Sequence, residues 1–426
     1  MLRDRADEFR HSYGDEYITR YGHWRPEIST EFEKYLKCGI PKFGFARVKC
    51  TDPECGESFL LAFSCKASLC PSCLQKNMLE TEIWIVDQIL KEVPHRHIVF
   101  TIPKLLRRPF FHHREALNDL SRIAWECVKT FMRDALGEGT PAAVQAIECA
   151  GEYLEPNPHI HVIAADGLFA DDGTFRPLRR LDEGAHHYLL SLWKKAVATF
   201  ALKHEFISPD MMGKVIGWQH TGFSVFAERR VDFKRSNEAS VEEMRHLARY
   251  IANPPFALEK IVWKEGSDTV IYKGVRITKW HPQNFETFNV LDFIAAIAGQ
   301  IPKNRQKLVN YYGAYSNKTR GCVRKRSGGA KAGAGSKATE SQANFRQTWA
   351  MLIQRVWEVD PLECPRCHKP MKIVAIVDDA GLVEATLRRM GKWQELAPRG
   401  PPIDLHPPPV QETEREKWWD DMPGKD

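Results

Sequence analysis

No stretch of the 426 residues is apolar for long enough to span a bilayer, so an integral membrane helix is not expected. The opening, Met1-Leu2-Arg3-Asp4-Arg5, lacks the apolar segment of a secretory leader, and a cytoplasmic location is expected. Neither sign of charge is in large excess. The 61 Lys and Arg against 55 Asp and Glu leave +6, a mild balance that suggests a polyanionic partner without demanding one. Apolar content of 43% and charged content of 27% are ordinary for a globular protein, and the length allows two or three domains with ample core. Cysteine is not scarce. In a cytoplasmic chain, eleven cysteines are read as metal ligands or buried thiols before disulfides.

Six of those cysteines lie early, with Cys38 followed by Cys50-x4-Cys55-x9-Cys65-x4-Cys70-Pro71-Ser72-Cys73. Two closely spaced pairs are the pattern of two knuckles gripping one tetrahedral zinc. The expected ligands are Cys50, Cys55, Cys70 and Cys73; Cys38 and Cys65 are spare, and Cys65 is the substitute for any of the four. Cys364-Pro365-Arg366-Cys367-His368 offers at most three neighbouring ligands, which leaves a second zinc open.

The stretch Pro156-Asn157-Pro158-His159-Ile160-His161-Val162-Ile163-Ala164-Ala165-Asp166-Gly167 reads as a strand closed by a turn. Alternation puts His159 and His161 on one face, with Ile160 and Val162 toward the core. Two imidazoles about 7 Å apart along a strand can converge on one divalent ion, although a strand with two solvated histidines has the same pattern. The preceding segment, 142–154, is also apolar and alternating and should form a hairpin with it through residues 155–158. Glu148 on that strand is costly to bury unless it has a partner, and a metal on His159 and His161 would be one. A second His-x-His, His95-Arg96-His97, is assigned to a strand edge because arginine is a poor neighbour for a cation site.

Further on, Ser240-Val241-Glu242-Glu243 is a capping box, opening a helix that stops at Pro254-Pro255. Tyr250 on this helix lies roughly 100° from the Met244, Leu247 and Ile251 stripe, so its ring can pack while its hydroxyl stays reachable. Tyr311, Tyr312 and Tyr315 beside Lys318 and Arg320 suit base stacking and phosphate pairing, or equally a packed strand end. Periodicity predicts helices over 74–93, 113–136, 186–204, 291–298 and 345–356, strand-like stretches at 215–218 and 223–226, and a hairpin of 261–263 with 269–272. The expected division is an N-terminal helical and zinc-binding module (1–92), a main domain (93–320), a basic flexible linker (321–342), a small Cys-x-x-Cys module (343–395) and a disordered tail (396–426).

Ordered along the chain, these blocks resemble the rolling-circle transposases of the insertion sequence ninety-one family. The resemblance runs through the Ser64-Cys65-Lys66…Cys73 module, Pro158-His159-Ile160-His161, Leu247-Ala248-Arg249-Tyr250-Ile251, Tyr311-Tyr312-Gly313-Ala314-Tyr315-Ser316-Asn317 and Asp360-Pro361-Leu362-Glu363-Cys364. That family belongs to the HUH endonucleases, named for His-hydrophobic-His. The resemblance implies an α+β fold, with a central antiparallel sheet flanked by helices and preceded by the zinc module. It implies His159 and His161 as ligands to Mg²⁺ or Mn²⁺, Glu148 as the third ligand and Tyr250 as the nucleophile. The implied activity is nicking and rejoining of single-stranded DNA at element ends and target DNA through a 5′-phosphotyrosine, in a bacterial, nucleoid-associated protein with room for oligomerisation. Several family members carry a second tyrosine four residues away on the same helix. Here those positions are His246 and Pro254, so a single-tyrosine variant is expected. A plasmid replication initiator or relaxase would share the chemistry, and a zinc-dependent DNA-binding regulator would share the cysteines. A decayed, inactive copy is a further alternative.

Overall fold

The computed structural model describes residues 1–178, 181–218, 220–275, 282–326, 351 and 360–394. These residues form two compact units, one of 1–24 with 81–326 and the other of 25–80 with the described residues beyond 350. Among them no helix is long and apolar enough to cross a membrane.

The larger unit is built on an antiparallel sheet. Its strands run in the order Val309–Gly313, Ala142–Ala150, Pro156–Ala165, Pro94–Thr101 and Ser224–Phe226, and Arg230–Asp232 also pairs with Pro94–Thr101. The expected hairpin of 142–154 with the His-pair strand is present, with Ile147 opposite Ile160. Because side chains alternate, each strand serves two cores. Ile98, Phe100, Ile147, Ile160, Val162 and Ala164 pack into a large cluster with the helices Ala116–Leu136 and Glu183–Lys203. Val144, Ala146, Ile163 and Ala165 point the other way, against Met244, Leu247, Ala248 and Ile251 of the helix Glu238–Ile251.

That helix starts earlier than its capping box suggests. Asn237 is the N-cap, its side chain accepting from the Ser240 amide at 3.2 Å, while the Ser240 hydroxyl donates to the Lys234 carbonyl at 2.8 Å. Residues 215–218, expected as strand, end the helix Pro209–Gly217. Ser208 caps it, Pro209 opens it, and the buried Met212 and Val215 lie three apart on one helical face. The hairpin of Ile261–Trp263 with Thr269–Lys273 forms as expected and gains a third strand, Phe285–Asn289.

The smaller unit corrects the expected division. Residues 360–394 are not a separate module: Met371–Val377 pairs with Phe45–Cys50, which also pairs with Ser58–Ala62. Three strands are needed for one stable sheet, and the third comes from the far end of the chain. Residues 81–92 belong to the larger unit, where Ile85, Val86, Ile89 and Leu90 share a core with Met244 and Leu247. The expected linker begins as the end of the helix Asn317–Arg326. Its remainder lies outside the described residues, as do nearly all of the helix expected at 345–356 and the tail from 396.

One buried charge ties the central strands together. Asp166, fully buried at the end of the His-pair strand, accepts from Arg96 Nε and an Arg96 Nη at 2.8 and 2.9 Å and from Arg230 Nε at 2.8 Å. Arg96 therefore points away from the face that His95 and His97 share. Removing the carboxylate leaves the Arg96 guanidinium buried without its charge partner. Asp166→Ala should lower stability by about 3–5 kcal/mol, read as a drop in the urea midpoint.

Candidate active site

Pairing of Ala142–Ala150 with Pro156–Ala165 sets Glu148 directly opposite His159, and the register shifts just beyond Glu148. Glu148 Oε2 lies 3.4 Å from His159 Nε2, and Oε1 lies 3.5 Å from His161 Nε2. The three candidate donor atoms are all within 4.8 Å of one another. These separations exceed those of a charged hydrogen bond, and the buried Glu148 Oε1 has no hydrogen-bond partner. A divalent ion about 2.0–2.2 Å from each donor leaves the donors roughly 3–3.5 Å apart, so the residues fit such an ion.

Both rings are oriented from behind. His159 Nδ1 donates to the Asn157 carbonyl at 2.6 Å, which leaves Nε2 facing Glu148. His161 Nδ1 is 3.1 Å from His97 Nε2, and the two rings stack at 5.3 Å with an 11° tilt. A divalent ion on His161 Nε2 would leave the ring proton on Nδ1, to be donated to His97 Nε2. Burial first, then His159 and His97, push the His161 pKa down to about 2; burial and then Arg229 push His97 down to about 4. Both are neutral near pH 7, the form in which imidazole binds a metal. For His159, burial opposes charge, but the nearby Glu148 carboxylate outweighs it and raises the pKa.

Tyr250 stands beside this group. Its ring is edge-on to His161 at 5.4 Å and to His97 at 5.8 Å, and half of the residue (50%) is exposed. The helix is held by a buried carboxylate. Glu82 receives Arg249 Nε at 2.8 Å and an Arg245 Nη at 3.4 Å, and Arg245 also reaches Asp87 at 3.1 Å. Arg249 precedes Tyr250 in sequence, so the ion pair anchors the turn that presents the phenol.

His95 and His97, expected at a strand edge, are both buried. Val99 pairs with His161, and alternation then brings His97 onto the His-pair face. A reading of 94–101 as neighbour to the His-pair strand would have found it. The tyrosine block divides. Tyr315 is fully buried, with its hydroxyl 2.7 Å from His95 Nε2, and Tyr312 stacks on Trp125 at 5.1 Å with its hydroxyl 3.1 Å from Ser121. Packing has taken these two rings, so neither is placed to stack on a base. Arg320 lies over Tyr311 and the exposed Trp84, at 5.9 and 5.6 Å, and Lys318 is exposed.

The expected cysteine quartet is not brought together. Cys70 and Cys73 group with Cys38 and Cys65, the two residues set aside as spare, whereas Cys50 and Cys55 group with Cys364 and Cys367. In the first group Cys38–Cys70, Cys38–Cys73 and Cys65–Cys73 sulfurs are 3.6, 3.9 and 3.6 Å apart; in the second, Cys50–Cys367 and Cys55–Cys364 are 3.5 and 3.7 Å apart. His368 turns away, its exposed ring on Glu363 at 2.6 Å. Adjacent spacing favoured a single quartet, but the strands and turns that carry the pairs run to different places.

A family described as "Transposase zinc-binding domain" matches residues 9–102, and one described as "Putative transposase" matches residues 143–322. The chain is 22% identical over 355 residues to the transposase for insertion sequence element IS801 of Pseudomonas savastanoi pv. phaseolicola, covering 81% of this chain and 82% of that one. It is 27% identical over 177 residues to the putative transposase y4qJ of Sinorhizobium fredii, covering 40% and 42%. No solved structure matches. Two cysteine clusters and an acidic His-pair site on a mixed α and β framework, under these two family matches, define a transposase with an N-terminal zinc-binding domain. More narrowly, the chain belongs to the insertion sequence ninety-one family of transposases.

Outside the candidate metal site, the buried His95 and the half-buried His112 add a pH limit on the fold. Burial lowers the His95 pKa to about 3 and the His112 pKa to about 4, against 6.5 for an ordinary histidine. Between pH 6.5 and those values the unfolded chain binds protons that the folded chain does not. Stability should therefore be full above pH 6.5 and fall as the pH drops toward 4. Urea unfolding at pH 7.5, 6 and 5 should show the decline, and His112→Gln should make it shallower.

Proposed function

We propose that this transposase cuts single-stranded DNA with Tyr250, while Glu148, His159 and His161 hold a divalent ion in a HUH-type nuclease domain spanning about residues 93–320. The observation that carries the reading is the placement of Tyr250 at 5.4 Å from His161, on the sheet face that also carries Glu148 and His159. A bound Mg²⁺ or Mn²⁺ would draw electron density from a phosphate oxygen and offset charge in the transition state, and imidazole ligation leans toward Mn²⁺.

The protein's own residues do the rest. Tyr250 supplies the phenol oxygen, which forms a bond to phosphorus as the bond from phosphorus to the 3′ oxygen breaks. The phenol proton ends on the released 3′-hydroxyl, and the 5′-phosphate stays on Tyr250. Attack by another 3′-hydroxyl reverses these bond changes and rejoins strands without ATP. His97 holds the His161 ring through Nδ1, and Glu82 anchors the helix through Arg245 and Arg249. With His246 and Pro254 four residues to either side, one tyrosine serves successive transfers. Lys318, Arg320, Tyr311 and Trp84 offer pairing and stacking to the bound strand at element ends and in target DNA.

A replication initiator or relaxase would use the same bonds, but the zinc-binding domain match favours transposition. A non-catalytic regulator leaves Glu148, the His pair and Tyr250 without a shared purpose, and a decayed copy does not account for their being intact together.

The reading is tested with 3′-labelled single-stranded DNA carrying a cognate element end, incubated with Mn²⁺ or Mg²⁺. Wild type should yield a labelled, protease-sensitive adduct, absent from Tyr250→Phe and His161→Ala while both retain fold and DNA binding. An adduct that survives Tyr250→Phe would move the nucleophile elsewhere. His97→Phe keeps a ring behind His161 but removes its hydrogen-bond acceptor. By calorimetry it should weaken Mn²⁺ binding by about 10–100-fold.

A further inference from the structure

The zinc-binding match ends at residue 102, yet four of the clustered cysteines close a site that reaches far beyond it. We propose that Cys50, Cys55, Cys364 and Cys367 bind a second structural zinc, which makes the C-terminal segment an integral part of the zinc-binding domain. This inference is independent of the catalytic reading.

Tetrahedral zinc with four thiolates at about 2.3 Å sets neighbouring sulfurs about 3.8 Å apart. The Cys50–Cys367 and Cys55–Cys364 separations of 3.5 and 3.7 Å match this, as do those of 3.6–3.9 Å in the other cluster. A disulfide needs about 2.05 Å and would pair sulfurs two by two, whereas here each group of four lies mutually within 4.8 Å. The backbone around the second cluster is built to match. Asp52 donates its amide to Cys50 Sγ at 3.4 Å, and Cys364 donates its amide to the Lys369 carbonyl, which folds 364–369 into a tight turn. Thr51 donates both its amide and its hydroxyl to the Pro370 carbonyl, at 3.0 and 2.7 Å, next to the pairing of Cys50 with Met371.

Charge supports the same occupant. Four thiolates around Zn²⁺ carry a net charge of −2. Arg366 donates to the Cys55 carbonyl at 3.2 Å, which puts one cation at the rim of the cluster, while Lys369 is paired with Asp52 at 2.7 Å. Binding releases the four thiol protons to water. The hydrophobic surroundings are small (Val48, Met371 and the partly buried Phe59, Leu61 and Ile373), so a metal here would reinforce the strand pairing and the Phe45, Val383 and Leu387 contacts that join the two segments.

The test is zinc content of the full chain purified under a phosphine reductant, in a His161→Ala background so that the His pair does not add to the count. Two zinc ions per chain are expected, falling to one in Cys364→Ser/Cys367→Ser and likewise in Cys50→Ser/Cys55→Ser. Maleimide footprinting then identifies which site is lost. In Cys50→Ser/Cys55→Ser, Cys364 and Cys367 should become reactive while Cys38, Cys65, Cys70 and Cys73 stay protected. Exposed Cys322 reports labelling, and buried Cys127 reports folding of the larger unit. Cys364→His, which keeps a zinc ligand, should retain two ions. One ion in the parent chain would overturn the proposal. So would two ions retained in both double-serine variants, because the second ion would then not depend on these thiolates.

Discussion

The register of Ala142–Ala150 against Pro156–Ala165 is the constraint on which the candidate active site depends. It sets Glu148 across from His159, and on the opposite face it sets Ile147 across from Ile160 in the main core. A slip of one residue would turn Glu148 into that apolar core and bring Ile147 to the site. The two cores police the register from both sides of the sheet, so the acid and the His pair meet without being held by each other. This matters because His161, held neutral by burial, gains little from contact with the carboxylate. Here Glu148 Oε1 is left buried and without a hydrogen bond.

Tyr250 is positioned by a different device. Met244, Leu247 and Ile251 lay the helix on the sheet face, which sets its height, and Glu82 with Arg245 and Arg249 sets its position along the axis. A buried carboxylate held by two arginines is costly to move, since a shift would leave the charge without partners. The phenol is thereby left at the border of packing and solvent, where a DNA strand can reach it. Asp166 does related work beneath the same strands, and it explains why an arginine sits between His95 and His97: Arg96 serves the other face.

The smaller unit has little apolar core of its own. Its clusters around Phe45, Val48 and Ala67 contain few fully buried side chains each, and cysteine groups sit in two of them. Metal ligation supplies the closure that a larger domain obtains from burial. The zinc-binding character of the family and the strand pairing of Phe45–Cys50 with Met371–Val377 are thus two aspects of one arrangement.

Local pattern carried much of this protein. Strand alternation put His159 and His161 on one face, marked Glu148 as an acid in need of a partner and located Tyr250 at the border of its helix, because these follow from the periods of strand and helix alone. Cysteine spacing announced zinc for the same local reason. The rest depended on which segments, distant in sequence, lie side by side. His97 became the support of His161 only through the pairing of Val99 with His161. Tyr312 and Tyr315 were assigned to packing only once Trp125 and His95 were found against them. The cysteines were sorted into 38, 65, 70 and 73 against 50, 55, 364 and 367 only by the strand that returns from the far end of the chain. By itself the sequence determined the chemistry available, because residue type and period are local properties. Partnership was decided by the tertiary structure, because hydrogen-bonded pairing between distant strands leaves no mark in the spacing of either one.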